Sequence, residues 1–464
     1  MAMEYYTPGV YVEEISSGAK PMTAAPTHIV GFLGETRTGR LNRPIMVTSW
    51  TQYFDEFIGY KLQDKITPRG TIEKDIDGNN IQEEVPYDKV TGLDWGVYVF
   101  FANGGAKCHV VSANHIADNS AKIESLKEEL TKQETLVAKA KDKEKDALKK
   151  KVSDIKAQIE SASVVNSNNT KELIGHDGGP GKRTGLTCFK DVGEVAILVA
   201  PGVVSPAVQQ EMLAYAEGAN IFTILDAPKT LEGLKEHGLT DDLNGLAGLS
   251  AKCASKQSAV YFPWVSTYDA STDSNTLVAP SGFVAGIYAR VDNERGVFKA
   301  PANEGVNLAT SLAYTLSDTE QESLNMNGVN VIRDFSDKGI VVWGARTTVS
   351  MIDAEWRYIN VRRLFNMIEK SIEMGTQWAV FEPNDEKLWI ALKSNTTAFL
   401  SRLYKAGAFA GANESEGFFV KCGPETNPQE NVDAGIVTVE IGIAPVKPAE
   451  FVVFKIAQKA PQDT

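Results

Sequence analysis

Between Ala354 and Met374, the apolar residues Tyr358, Val361, Leu364, Phe365, Ile368 and Ile372 recur every three or four positions. That spacing predicts a helix of about five turns with one apolar face. Asp353 and Glu355 stand where the positive end of its dipole favours acids, and Gly375 follows as a stop. Pro383, Asn384 and Asp385 read as a turn and the start of a second helix. Its inward stripe is Leu388, Ala391, Leu392, Phe399, Leu400 and Leu403, and Lys405 to Gly411 ends it. The rest of the block is extended, with β-branched residues on both sides of Pro445 and Pro448. Two apolar stripes followed by strands must be buried together, so Ile340 to Gln458 is constrained to an α+β arrangement.

The whole chain has 464 residues, too many for one simple core, so two or more domains are expected. Its longest aliphatic run, Val195 to Ala200, is far too short to span a bilayer. Met1 to Gly9 has neither the basic nor the apolar segment of a signal peptide, so secretion by a signal peptide is not expected. A net charge of −13 argues against a nucleic-acid coat, because counterion release needs a basic surface. Cys108, Cys188, Cys253 and Cys422 lie far apart with no paired spacing and read as reduced, mostly buried thiols.

Three stretches invite a chemical reading and fail it. Cys108, His109 and His115 match no metal-ligand spacing and have no fourth candidate nearby. The stretch from Gly175 to Leu186 has Arg183 where a phosphate loop needs Ser or Thr after Gly181-Lys182, and a strand is expected next instead of a helix. Asp191 to Pro301 alternates strands and helices, an α/β pattern with a largely parallel sheet. Asp226 and Asp269 fall near its strand ends, with His176 and His237 available. No nucleophile elbow occurs there, so the expectation is no enzyme, no cofactor and no metal. A hydrolase sharing only the α/β domain is the rival reading from another class.

The C-terminal block resembles the C-terminal domain of contractile tail sheath proteins, the family of phage tail sheaths and phage-tail-like injection systems. Trp343 to Thr347 (WGART), Trp356 to Arg363 (WRYINVRR), Ile368 to Ile372, Phe381 to Asp385 (FEPND), Leu388-Trp389 and Ala444 to Phe451 (APVKPAEF) carry the match. Thr7 to Met22 also resembles sheath N-termini. The resemblance implies a multidomain fold: a subtilisin-like α/β domain plus a C-terminal α+β domain completed by strands from neighbouring subunits. It implies a structural, mechanical subunit that polymerises around an inner tube and contracts to drive it through a target envelope. The implied partners are further copies of itself, the inner tube, and baseplate and terminal cap proteins, with no direct nucleic-acid contact and no membrane insertion. A phage tail sheath is the alternative setting.

On this reading residues 1–28 form an N-terminal arm, and 29–117 and 163–339 form the α/β domain. Residues 118–162 form a charged helical insertion, and 340–464 form the strand-exchange domain with its terminal arm. Within the insertion, Ile123, Leu126, Leu130 and Val137 are out of phase with Leu148, Val152, Ile155 and Ile159, which predicts an antiparallel coiled-coil hairpin, with one long interrupted helix as the alternative. Strands around Val10, Tyr11 and Val12 and around Phe451, Val452, Val453 and Phe454 are expected to pair between subunits. The helix Ala354 to Met374 is the expected tube contact, through Arg362, Arg363 and Lys370 on the side away from its apolar face.

Overall fold

In a computed structural model of the chain, Val30–Thr36 forms a strand (β1) buried on both faces, as its nearly continuous run of apolar and small residues requires. The structure describes residues 22–58, 72–74, 80–82, 90–116, 129–133, 150–153, 155, 170–269 and 273–451. The chain divides into two compact units. One comprises Pro26–Asn366 with Lys447–Thr464, and the other Met1–Ala25 with Met367–Val446.

The first unit is built on a nine-stranded sheet. After β1 come β2 (Ile45–Val47), helix α1 (Gly92–Ala102), β3 (Cys108–His115), β4 (Ile197–Val199) and helix α2 (Pro206–Ala219). Then follow β5 (Phe222–Asp226), α3 (Leu243–Lys252), β6 (Ser258–Phe262), β7 (Val265–Asp269), β8 (Ser274–Val278) and α4 (Pro280–Arg295). The unit continues through β9 (Glu304–Gly305), β10 (Ala309–Leu312), α5 (Asp318–Met326), β11 (Val329–Phe335) and β12 (Gly339–Val342). The sheet order is β9-β12-β11-β6-β5-β4-β1-β3-β2, and the central strands from β11 to β3 are parallel. β2, β12 and β9 add antiparallel margins, and β8-β7-β10 form a separate antiparallel sheet.

Each face of the main sheet has its own core. Phe32, Val97, Phe100, Val110, Phe283 and Tyr288 belong to one, and Leu33, Val111, Leu198, Met212, Leu249 and Leu324 to the other. Alternate residues of β1 and β3 thus enter opposite layers. Helices α1 and α4 pack together through small residues: a Cβ on Gly282 would lie 2.5 Å from Gly96 O, and one on Gly286 2.5 Å from Phe100 O. α1 opens with a reciprocal cap between Thr91 and Asp94. The result is a doubly wound α/β body.

At the C-terminal strand ends, where such sheets hold ligands, Pro201 and Asp226 are engaged with the protein's own groups. Pro201 occupies the space a Cβ on Gly96 would need, at 2.3 Å. Asp226 accepts from Gly202 N, Ser281 N and Ser281 Oγ at 3.0, 2.8 and 2.7 Å. Asp269 lies on a different sheet, at the end of β7. The stretch resembling a phosphate loop folds on itself: Asp177 accepts from Arg183 at 3.0 Å and Lys190 at 2.8 Å. A 3₁₀ turn over Gly185–Asp191, not the expected strand, follows it. His109 Nε2 lies 2.7 Å from Glu194 Oε1, and all four cysteines are buried free thiols. Among the described residues no helix is long and apolar enough to cross a membrane.

Helix α6 (Ile359–Thr376) begins in this unit and ends in the other. It starts five residues later than the spacing predicted, because the backbone before it is pairing elsewhere. Thr347 N donates to Arg357 O and Ile359 N to Ala345 O, so WGART and WRY lie antiparallel around a bridge between Arg346 and Tyr358. Asp353 Oδ1 also accepts from Glu355 N at 2.9 Å, a local turn that competes with a helical start. The second unit contains the end of α6, helix α7 (Glu386–Lys405), and the strands β13 (Phe418–Lys421) and β14 (Glu440–Ile443). Asp385 caps α7, accepting from Leu388 N at 3.0 Å, and Leu388, Leu392, Phe399 and Leu400 are its buried stripe.

Candidate assembly interface

In the second unit β13 and β14 form an antiparallel pair, with Phe418 opposite Ile443 and Val420 opposite Ile441. Phe418 and Val420 point inward, whereas Phe419 is 44% exposed and Lys421 faces solvent. The Phe419 ring lies over Gly442, where a Cβ would come within 2.2 Å of it. Among the described residues this sheet has two strands. Such a ribbon is marginal alone and leaves backbone donors and acceptors along its edges.

The N-terminal segment is rooted in the same unit. Met22 is buried against Gly375, whose Cβ would come within 2.4 Å of Met22 Cγ. Ala25 N donates to Ser371 Oγ at 2.8 Å, and Arg402 donates to Met22 O. Val10, Tyr11 and Val12 lie outside the described residues.

The C-terminal segment is rooted in the α/β unit. Arg346 grips Glu450 with both ends of its fork, Nε to Oε1 at 2.8 Å and Nη2 to Oε2 at 2.6 Å. Arg346 Nη1 donates to Asn325 O at 3.0 Å, and Tyr358 OH donates to Glu450 Oε2 at 3.0 Å. Burial pushes the Glu450 carboxyl up, but its bonds to Arg346 and Tyr358 outweigh that and hold it below its ordinary range. Phe451, the next residue, is 75% exposed. Val452, Val453 and Phe454 lie outside the described residues. Sequence reasoning quoted WGART and APVKPAEF for their resemblance but gave neither Arg346 nor Glu450 a role. Their opposite charges were the available signal.

The expected tube-facing side of α6 requires a correction. Arg363 is buried in the α/β unit, donating to Asp292 Oδ1 at 3.0 Å, Asp292 Oδ2 at 2.6 Å and Thr27 O at 3.0 Å, with Tyr288 beneath its guanidinium at 4.6 Å. Arg362 is buried too, bonded to Asn366 Oδ1 at 2.7 Å and stacked over Trp356 at 4.4 Å. Neither presents charge to an outside partner. Both side chains are long enough to reach acceptors on the α/β unit's own elements. Lys370 remains partly exposed, 3.0 Å from Glu373.

The chain thus links a doubly wound α/β body to a helical unit whose ribbon has two strands among the described residues. The phage tail sheath central-domain model matches residues 192–348, and the phage tail sheath C-terminal-domain model matches residues 352–459. The chain belongs to the contractile tail sheath family. It is 25% identical over 466 residues to the tail sheath protein of Burkholderia phage BcepMu, covering 93% of this chain and 92% of that one. It superposes on the sheath complex of an extracellular contractile injection system (PVC) in the contracted state with TM-score 0.65 and 25% identity, covering 99% of each chain. The anti-feeding prophage (AFP) helical sheath in its contracted state gives TM-score 0.65 at 26% identity, covering 98% of this chain and 100% of that chain.

Proposed function

We propose that this chain is the repeating subunit of a phage-tail-like injection sheath. Copies polymerise around an inner tube in a strained, extended helix and repack into a shorter, wider one, driving the tube through a target envelope. The observation that carries this reading is likeness along the whole chain to sheath subunits of helical particles in the contracted state. A cytoplasmic assembly site, a baseplate at one end and a cap at the other belong to the same reading. So does a subtilisin-like fold for the α/β body, with no enzymatic role for it.

Within this reading, subunits are joined by strand exchange. The arms, with Val10 to Val12 at one end and Phe451 to Phe454 at the other, add strands to the β13-β14 ribbon of neighbouring copies. The ribbon's exposed Phe419 and its two-strand width support that role. Residues 118–162 are a charged helical insertion in the α/β domain, and residues 340–464 form the strand-exchange domain. On α6, the open end around Lys370 is the part left to meet the tube. Electron microscopy of purified protein tests the reading: ribbed, hollow cylinders are expected, and soluble monomers with hydrolytic turnover would overturn it. A phage tail is a second setting, favoured by the near full-length likeness to the BcepMu protein. Particles carrying a capsid would select it.

A further inference from the structure

We infer that Arg346, Glu450 and Tyr358 form an anchor that fixes the root of the C-terminal arm on the subunit's own α/β unit, presenting the residues from Phe451 onward to a second copy of this chain. The inference rests on the strand-exchange reading above and adds the device that aims the arm.

The geometry is that of a clamp. Glu450 is gripped bidentately at 2.8 and 2.6 Å and receives a third bond from Tyr358. The ion pair is largely shielded, with side-chain exposures of 10% for Arg346 and 19% for Glu450. Arg346 is itself fixed, because its amide donates to Asn330 Oδ1 at 2.7 Å and its Nη1 to Asn325 O. Tyr358 is held by its backbone bridge to Arg346. The arginine and tyrosine therefore form a rigid receptor for one carboxylate. One residue later the chain carries an exposed phenylalanine, an apolar side chain that the α/β unit leaves uncovered. A shielded carboxylate is thus followed at once by an exposed aromatic.

The anchor also has a physical reason. An arm that must find a neighbour's sheet edge acts at an effective concentration set by the length and stiffness of its free tether. With Glu450 clamped, the tether begins at Phe451. Without it, the segment is next tied upstream at Val446, whose N–H donates to Ala408 O at 3.2 Å. Each extra residue that must be ordered on docking costs conformational entropy. Pro445 and Pro448 stiffen this stretch, but they cannot set its direction as a two-point ion pair does.

The test compares full-length wild type, Glu450→Ala and Val453→Pro, the last removing a backbone donor from the proposed inter-subunit strand. Two quantities are measured: the thermal unfolding midpoint of dilute, unassembled protein, and the critical concentration for sedimentable sheath. Val453→Pro is expected to assemble poorly. Glu450→Ala is expected to unfold within about two degrees of wild type while its critical concentration rises about tenfold or more. Glu450→Asp, with a shorter reach to the same fork, should fall between Glu450→Ala and wild type. Normal assembly of Glu450→Ala beside a defective Val453→Pro would overturn the anchor and leave strand exchange standing. Normal assembly of Val453→Pro would remove the strand-exchange reading and the anchor with it. A large fall in the unfolding midpoint of Glu450→Ala would assign the ion pair to folding instead and also overturn the proposal.

Discussion

Replacing Asp292 by alanine should be among the most damaging single changes in the α/β unit. Asp292 and Arg363 side chains are 2% and 3% exposed, so each charge depends on the other for what water would otherwise supply. The change removes both carboxylate bonds, at 3.0 and 2.6 Å, and leaves the guanidinium with Thr27 O and the face of Tyr288. A desolvated cation over an aromatic ring is worth up to about 2 kcal/mol, which cannot replace a bidentate carboxylate. An uncompensated buried charge costs about 3–5 kcal/mol, and that is the expected loss in unfolding free energy. The double variant Asp292→Leu with Arg363→Met removes both charges and should recover about 2 kcal/mol of that loss, a non-additivity diagnostic of a pair. Guanidinium unfolding of the unassembled protein, followed by circular dichroism, is measured for wild type, Asp292→Ala, the singles Asp292→Leu and Arg363→Met, and the double variant. A loss below about 1 kcal/mol for Asp292→Ala, or strict additivity in the cycle, would refute the argument.

Three further outcomes can be checked. Burial pushes the Asp226 carboxyl up to about 6, so between about pH 4 and pH 6 the folded state keeps a proton that the unfolded state has released. This group's contribution to stability therefore falls as pH rises through that window, by about 3 kcal/mol in all, and Asp226→Asn should lose that slope in unfolding measured from pH 4 to pH 7. Deleting Ala2 to Glu14 should leave a folded body that no longer forms long sheaths, and persistence of long sheaths would count against strand exchange. Replacing residues 118–161 with a short Gly/Ser linker should preserve assembly and contraction, and complete loss of tube-bound sheath would place the segment in a subunit contact.

The helices α6 and α7 were the most legible parts of the sequence. The apolar stripes of α6 and α7 are one-sided, and periodicity finds one-sided helices. α4 escaped for the opposite reason: from Pro280 to Ala289 every residue is buried, so no polar face marks its period. The strands of Asp191 to Pro301 could be read because buried parallel strands are runs of β-branched residues between turns. The start of α6 was misplaced because acids at its predicted N-terminus fit a helix dipole equally well as a turn. Only long-range backbone pairing with WGART decides between them. The insertion reading, residues 118–162, falls mostly outside the described residues.

The tube contact is where burial changes the argument most. On a helical wheel, Arg363 and Lys370 are seven residues apart and nearly aligned, and alignment suggested one charged face. Alignment says nothing of what lies over each turn, and α6 passes from the α/β unit to the second unit along its length. Arg363 is therefore spent on Asp292, and Arg363→Glu would set two carboxylates against each other inside the body, a folding defect indistinguishable from a lost tube. The informative substitution is Lys370→Glu alone. Lys370 pairs with Glu373 at 3.0 Å with side-chain exposures of 39% and 63%, so losing that pair costs about 0–1 kcal/mol per subunit and leaves the fold intact. Repeated along a polymer, the reversed charge should still release the tube, most clearly at low salt where screening is weakest. Tube-filled, extended particles from Lys370→Glu at low ionic strength would move the tube contact off α6 altogether.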